Sequence, residues 1–278
     1  KKIQKINVRK TNSMISLVQL LREAQGSPKA VILAGAPGAG KGYILRGLDL
    51  GGLKVMNVDD IYVPLLKKAN VSLDLKNATP EERSEQAKQM AAANKQFKGE
   101  MEQIISGKDS FILDGTAASY NTTAKLKTEL DEAGYDVFML YVYTDLERSL
   151  SQNQDRYTKS GGEDRSLAPA IVMRTWKGVT DNLPKYAELF GNNFVAVANT
   201  LDDRMQDIDK IINKYLKPFE PTGTKPKTPA QQKKSDERKA QDKAEIQAML
   251  SDDFIYDVIE YTMSKEEAQM RLKQFLSK

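Results

Sequence analysis

Cysteine and histidine are both absent from this chain of 278 residues. Without cysteine there can be neither disulfides nor thiolate metal sites. Without histidine the commonest general base and the commonest zinc ligand are gone. Any proton transfer must therefore fall to a carboxylate, a lysine or a tyrosine. Long apolar runs are missing too: no stretch approaches the roughly 20 residues that cross a bilayer, and no signal-peptide pattern is visible. The expectation is a soluble, cytoplasmic protein with no membrane partner. The length suits one large domain with an appendage.

The formal net charge of +4 is unevenly placed. Lys1, Lys2, Lys5, Arg9 and Lys10 open the chain with no acidic residue among them, and residues 217–243 are again rich in lysine. Such ends can touch nucleic acid or an acidic protein, although solvated surface is the plainer reading.

What is present is concentrated in one stretch. Ala30 to Ala34 is a short apolar run that breaks into Gly35-Ala36-Pro37-Gly38-Ala39-Gly40, then Lys41-Gly42-Tyr43, then a helical pattern through Ile44, Leu45 and Leu48. Strand, glycine-rich turn and helix in that order are the context of a phosphate-binding loop. Glycine lets the backbone curl until successive N–H groups face one anion, and the helix start adds orphan donors and the positive end of its dipole. Lys41 can reach the outer phosphates as a point charge. The pattern G-x-x-x-x-G-K is met at Gly35, Gly40 and Lys41, but Gly42 stands where a Ser or Thr usually touches magnesium. This loop, residues 35–43, is read as a nucleotide site.

The rest alternates. Met14, Leu17, Leu20 and Leu21 mark a helix capped by Asn12 or Ser13. Leu53 to Asn57 reads as a second strand that delivers Asp59 and Asp60 at its tip. Thr79-Pro80-Glu81-Glu82 opens a long polar helix to about Ile105. Phe111 to Leu113 forms a third strand running into Asp114-Gly115-Thr116. A helix over 124–133 follows, then a fourth strand, Val137 to Tyr143. Thr144 with Glu147 caps a helix carrying Arg148 and Arg156. Residues 157–167 form a hydrophilic loop with Arg165 near its end, and one helix spans roughly 169–189. Asn193 to Ala198 is the fifth strand, and Thr200 caps a helix ending near Leu216. This is an α/β chain with a five-stranded parallel sheet covered by helices on both faces, a P-loop NTPase architecture. Such sheets bind ligands at the carboxyl ends of their strands, where Lys41, Asp59 and Asp114 all fall.

Composition divides the chain into a domain over 1–217, a flexible Pro- and Lys-rich linker over 218–238, and a small helical appendage over 239–278. In the appendage Ser264 with Glu267 caps the last helix. Met249, Leu250, Phe254, Ile255, Val258, Ile259, Leu272, Phe275 and Leu276 would form its apolar face. A unit so short rarely folds on its own core, so residues 244–278 are expected to bind a protein partner or self-associate.

Gly-Ala-Pro-Gly-Ala-Gly-Lys-Gly at 35–42 resembles the loop of adenylate kinases, and Phe111 to Gly115 is similar to their third-strand motif. The layout as a whole, over roughly residues 28–200, more closely resembles zeta-toxin-like kinases and the kinase part of polynucleotide 5′-kinases. Their Asn-x-Asp at the end of a strand is matched by Asn57-Val58-Asp59, and their acidic-Gly-Thr turn by Asp114-Gly115-Thr116. The resemblance implies transfer of phosphate from ATP to a hydroxyl. It makes Asp59 the carboxylate that takes the acceptor's proton, with Asp60 and Thr116 beside the acceptor. Asp114 would hold Mg²⁺ through water, since the ion prefers oxygen ligands and keeps several waters, with Asp59 a second candidate. Arg156 and Arg165 would be lid arginines facing the transferring phosphoryl group. From the residues alone, Asp59 also reads as a helix cap, Asp114 as a turn residue, and the two arginines as solvated surface.

The chain departs from the family in two places. An arginine that follows the third-strand turn is replaced by Ala117-Ala118-Ser119-Tyr120, so the acceptor site has changed. Tyr43 stands in place of the threonine that follows Gly-Lys-Gly in adenylate kinases. Three functions follow: a kinase for a small molecule or nucleotide, a polynucleotide 5′-hydroxyl kinase suited to the basic ends, or a nucleotide-binding structural or regulatory protein whose catalysis has decayed.

Overall fold

The structure is a computed structural model and describes residues 26–46, 53–75, 77–200, 208–216, 228–250, 258 and 260–277. The expected helix over Met14 to Leu21, the basic residues 1–10, and Phe254 and Ile255 lie outside the described residues.

Strand β1 (Lys29–Ala34) leads into the glycine loop and helix α1 (Lys41–Leu45), and β2 (Lys54–Met56) into α2 (Asp59–Lys68). Then come α3 (Pro80–Gly107), β3 (Phe111–Asp114), α4 (Tyr120–Glu132), β4 (Asp136–Tyr143), α5 (Leu146–Lys159), α6 (Pro169–Asp181), α7 (Leu183–Phe190) and β5 (Phe194–Ala198). Helix α8 (Ile208–Ile211) continues as a wider turn to Leu216, and α9 (Pro229–Met249), β6 (Thr262–Met263) and α10 (Lys265–Leu276) complete the order.

The sheet runs β2-β3-β1-β4-β5-β6 with every pairing parallel. Helical crossovers impose that direction, because a parallel neighbour cannot be reached by a hairpin. β1 lies inside it, and each of its residues is buried, as a strand covered on both faces requires. Alternation sorts its side chains. Ala30, Ile32 and Ala34 enter one core with Trp176 and Tyr186. Val31 and Leu33 enter the other with Phe138, Leu140 and Leu272. That is the period of two expected of a strand.

Four expectations are corrected. The sheet has six strands, not five: Thr262–Met263 pairs with Ala196 and Val197 of β5. The stretch 229–238, expected as flexible linker, is the start of α9, closed by a capping box between Thr228 and Gln231 with Pro229 in the first turn. Lysine, glutamine, glutamate and alanine are all good helix formers, so once capped the segment folds as one. The single helix expected over 169–189 is two, α6 and α7, meeting at Asn182 with Pro184 in the first turn of the second. Finally, Thr144 does not cap α5: its hydroxyl donates to the carbonyl of Asn199 at 3.0 Å, and Asp145 takes the cap position. The capping boxes expected at Thr79 and the cap at Ser264 are both present.

The described residues of the C-terminal apolar set do not form an exposed face. Met249, Leu250, Val258, Leu272 and Phe275 are buried, and the Phe275 ring lies 4.9 Å from that of Phe138 on β4. What was expected as an appendage is, over 260–277, a strand and a helix laid on the main sheet. No helix among the described residues is long and apolar enough to cross a membrane.

Candidate functional site

The glycine loop is shaped by close approaches that only glycine permits. At Gly38 (φ +76) a Cβ would meet the Gln152 side chain at 2.7 Å and the Ser149 carbonyl at 2.9 Å; at Gly40 (φ +85) it would meet the Asn199 amide at 2.3 Å. The same neighbours hold the loop. Ser149 donates to the Pro37 carbonyl at 2.6 Å, and Asn199 to the Ala39 carbonyl at 2.7 Å. Gly35 donates its N–H to the Thr116 carbonyl at 3.1 Å, which ties the loop's entry to the third-strand turn. Thr116 therefore serves the loop through its backbone. Gly42 differs: a Cβ there would meet nothing within 4 Å. The missing hydroxyl at this position is not a steric necessity.

Lys41 opens α1 and folds its ammonium back to the mouth of the loop, 3.2 Å from the Gly35 carbonyl and 3.8 Å from Asp114 Oδ1. Burial, chiefly, holds its pKa below the ordinary lysine value; the Arg156 charge adds to this, while Asp114 and Asp59 oppose it. Asp114 ends β3 at the register partner of Leu33, one residue short of the loop strand's end.

Asn57 joins the second strand to this centre. Its amide nitrogen donates to Asp114 Oδ2 at 3.1 Å, and its amide oxygen accepts from the Asp59 N–H at 2.9 Å. One side chain thus fixes the start of α2 and the orientation of the Asp114 carboxylate. Asp59 in turn receives Arg165, whose Nη2 lies 2.6 and 2.7 Å from its two oxygens. The Arg165 guanidinium also stands 5.7 Å from the centre of the Tyr62 ring. The carboxyl of Asp60 is pushed above the ordinary aspartate range by partial burial and then by the charges of Asp59 and Asp114.

Arg165 sits on a loop that is itself pinned. Asn153 on α5 bonds both the N–H and the carbonyl of Leu167, Ser166 bonds the Asp74 carboxylate and the Leu73 carbonyl, and Glu163 pairs with Lys67. Arg156 is exposed on α5, near enough for its charge to act on Lys41. Tyr43 is 49% exposed, its ring 3.9 Å from the Lys265 ammonium and 5.4 Å from the Arg46 guanidinium. A cavity of about 310 Å³ lies behind the loop, between Asp74, Asn153, Ser166 and Lys214; none of Lys41, Asp59 and Asp114 lines it.

The structure therefore brings Lys41, Asp59, Asp114 and Arg165 together around Asn57, with Asp60 and Arg156 close enough to act electrostatically. Ser149, Asn153 and Asn199 were missed by sequence reasoning, since a polar residue gripping a distant loop leaves no local pattern. The turn after Thr116 is held by its backbone carbonyls: Tyr186 donates to that of Ala117 at 2.7 Å and Asn182 to that of Ala118 at 3.1 Å. Ala117 adopts φ +54 there.

The zeta toxin family model matches residues 16–213. No curated protein matches. Among solved structures, AvrRxo1-ORF1 in complex with AvrRxo1-ORF2 and sulphate ions is similar at 16% identity and a TM-score of 0.50, covering 92% of this chain and 83% of that one. A candidate kinase from Chloroflexus aurantiacus J-10-fl is similar at 15% identity, with a TM-score of 0.45 over 69% of this chain and all of its own. The PezAT toxin–antitoxin system of Streptococcus pneumoniae gives 14% identity and a TM-score of 0.42, over 80% and 90% of the two chains.

Proposed function

Since the chain belongs to the zeta toxin family, we propose that it is a phosphotransferase that moves the γ-phosphoryl group of ATP onto a hydroxyl of a small molecule or nucleotide. One observation carries this reading. The Asn57 side chain bonds both the Asp59 N–H and the Asp114 carboxylate, and Asp114 in turn lies 3.8 Å from the Lys41 ammonium, so a candidate proton acceptor, a candidate magnesium ligand and the loop lysine share one frame.

Each residue then has a task. The loop over Gly35–Tyr43 offers backbone donors and a helix start to the phosphates, and Lys41 neutralises the outer ones. The acceptor oxygen attacks the γ-phosphorus, its bond to the bridging oxygen of ADP breaks, and the acceptor's proton passes to Asp59. Arg165, already beside Asp59, and Arg156 balance charge on the transferring oxygens.

Magnesium fits the residues present. Asp114 Oδ1 is buried without a hydrogen-bond partner, so a hard cation has an oxygen to bind. No group of three or more candidate ligands occurs among the described residues, so the protein alone would supply few of the oxygen ligands that Mg²⁺ takes. When bound, Mg²⁺ supplies charge neutralisation at the phosphates.

The test is transfer of labelled phosphate from ATP to a panel of hydroxyl acceptors, with 5′-hydroxyl oligonucleotides among them and Lys41→Ala as control. Label on a small molecule or nucleotide, lost in Lys41→Ala, supports the reading. Label on oligonucleotides alone would make the protein a polynucleotide kinase. ATP binding without any turnover would make it a nucleotide-binding protein that has lost catalysis.

A further inference from the structure

Helix α1, which carries Lys41, is only five residues long and ends at Arg46 in extended backbone, with no basic residue in its last turn. So short a helix is marginal by itself, and its final carbonyl groups have no intrahelical donor. The donor comes from the other end of the chain. Gln269 Nε2 donates to the Ile44 carbonyl at 2.7 Å and lies 3.4 Å from that of Arg46.

Two further contacts come from the same face of α10. One turn earlier, the Lys265 ammonium lies 3.9 Å from the centre of the Tyr43 ring. Beneath them Ile44 is buried in one cluster with Ala268, Leu272 and Phe275. Residues 265, 268, 269, 272 and 275 recur at helical spacing, so α10 presents one continuous surface to α1 and the sheet under it.

We infer that Gln269 is a positioning residue for the phosphate loop. It ties off the C-terminal turn of α1, and α1 in turn sets where Lys41 and the first helical N–H groups stand. The loop is gripped in front by Ser149 and Asn199 and behind by Gln269. The consequence is that the C-terminal helix governs affinity for the triphosphate chain of a nucleotide. This role rests on the phosphate-loop reading of residues 35–43.

Gln269→Met keeps length and apolar stem but has no donor; Gln269→Glu places a carboxylate against carbonyl oxygens; Gln269→Lys restores a donor and suits a helix C-terminus. Two properties of the full chain are measured for each: amide hydrogen exchange over 41–46, and affinity for ATP and for inorganic tripolyphosphate. One lost hydrogen bond corresponds to about a three- to tenfold effect. Gln269→Met and Gln269→Glu should therefore raise exchange over 41–46 and weaken both ligands by about that factor, with exchange in β4 and β5 unchanged. Gln269→Lys should return both properties towards wild type. Tripolyphosphate has no base or sugar, so equal losses for both ligands locate the effect at the phosphates. Unchanged exchange in Gln269→Met, while wild type binds ATP, would overturn this role and leave the phosphate site standing. Raised exchange with undiminished affinity would also overturn it. If wild type binds neither ligand, the phosphate-loop reading fails, and the positioning role with it.

Discussion

A single nitrogen of Arg165 straddles the Asp59 carboxylate, 2.6 Å from one oxygen and 2.7 Å from the other. The Arg165 cation and the candidate proton acceptor thus meet across 106 residues of sequence. Both side chains are mostly covered, so solvent screens this pair less than a surface pair. The loop that brings Arg165 there is fastened independently by Asn153 and Ser166.

Arg165→Ala should lower the rate of phosphoryl transfer by about 10²-fold or more, the scale of losing one stabilising donor in a transition state. ATP affinity should change little, because Lys41 and the glycine loop remain. Single-turnover transfer and equilibrium nucleotide binding separate these. A variant with wild-type transfer would reduce Arg165 to a strut for α2.

Asp59→Asn keeps the shape and the N–H that bonds Asn57, so α2 should still start where it does. It cannot take a proton, and transfer should fall by about 10²–10⁴-fold with ATP still bound. Circular dichroism and nucleotide titration check the first half, and acceptor labelling checks the second. Transfer near the wild-type rate would move the role to Asp60.

Much of this centre was legible because its parts are local patterns. Gly35 to Lys41 is a contiguous motif, and β1 through β5 are apolar runs that end at glycine or polar residues. β6 was not legible: Thr262–Met263 is two residues long, with no apolar run, and joins the sheet only through a partner strand more than sixty positions earlier. Its place depends on α10 burying Leu272 and Phe275, which is a tertiary event. The start of α9 is a different case. Thr228-Pro229-Ala230-Gln231 is a helix-start signature, but the lysines and prolines before it outweighed it. Asn57 was visible as part of a motif, and its bond to the Asp59 N–H is local, yet its bond to Asp114 required β2 and β3 to be paired.

The Asp60 carboxyl is raised by partial burial and then by Asp59 and Asp114. A raised folded pKa means the native state holds the proton more tightly than the unfolded chain. Its stabilising share is complete below the ordinary aspartate value of about 3.9 and is lost as pH rises through the folded value. Asp60→Asn removes that dependence. Urea denaturation of both proteins should show the variant gaining on wild type as pH climbs from about 3.9, then holding a constant margin. A margin that does not move with pH would show that Asp60 does not feel its two neighbours.

Removing the C-terminal layer should unfold the sheet rather than trim it. Leu272 is fully buried and Phe275 nearly so, facing Phe138 and the strands β1, β4 and β5. Cutting the chain after residue 217 takes away α9, β6 and α10 and uncovers the part of that face under Leu272 and Phe275, and apolar surface resists exposure to water. Leu272→Ala makes the same point with one side chain: it should cost about 2–5 kcal/mol, the transfer term plus a cavity the strands cannot fully close. Met270, on the exposed side of α10, supplies the control, since Met270→Ala should stay within about 0.5 kcal/mol. Denaturant midpoints of the two variants, and of the chain ending at 217, decide the matter. A truncated chain that melts like the full one, or a Leu272→Ala as mild as Met270→Ala, would mean that α10 rests on the sheet without supporting it.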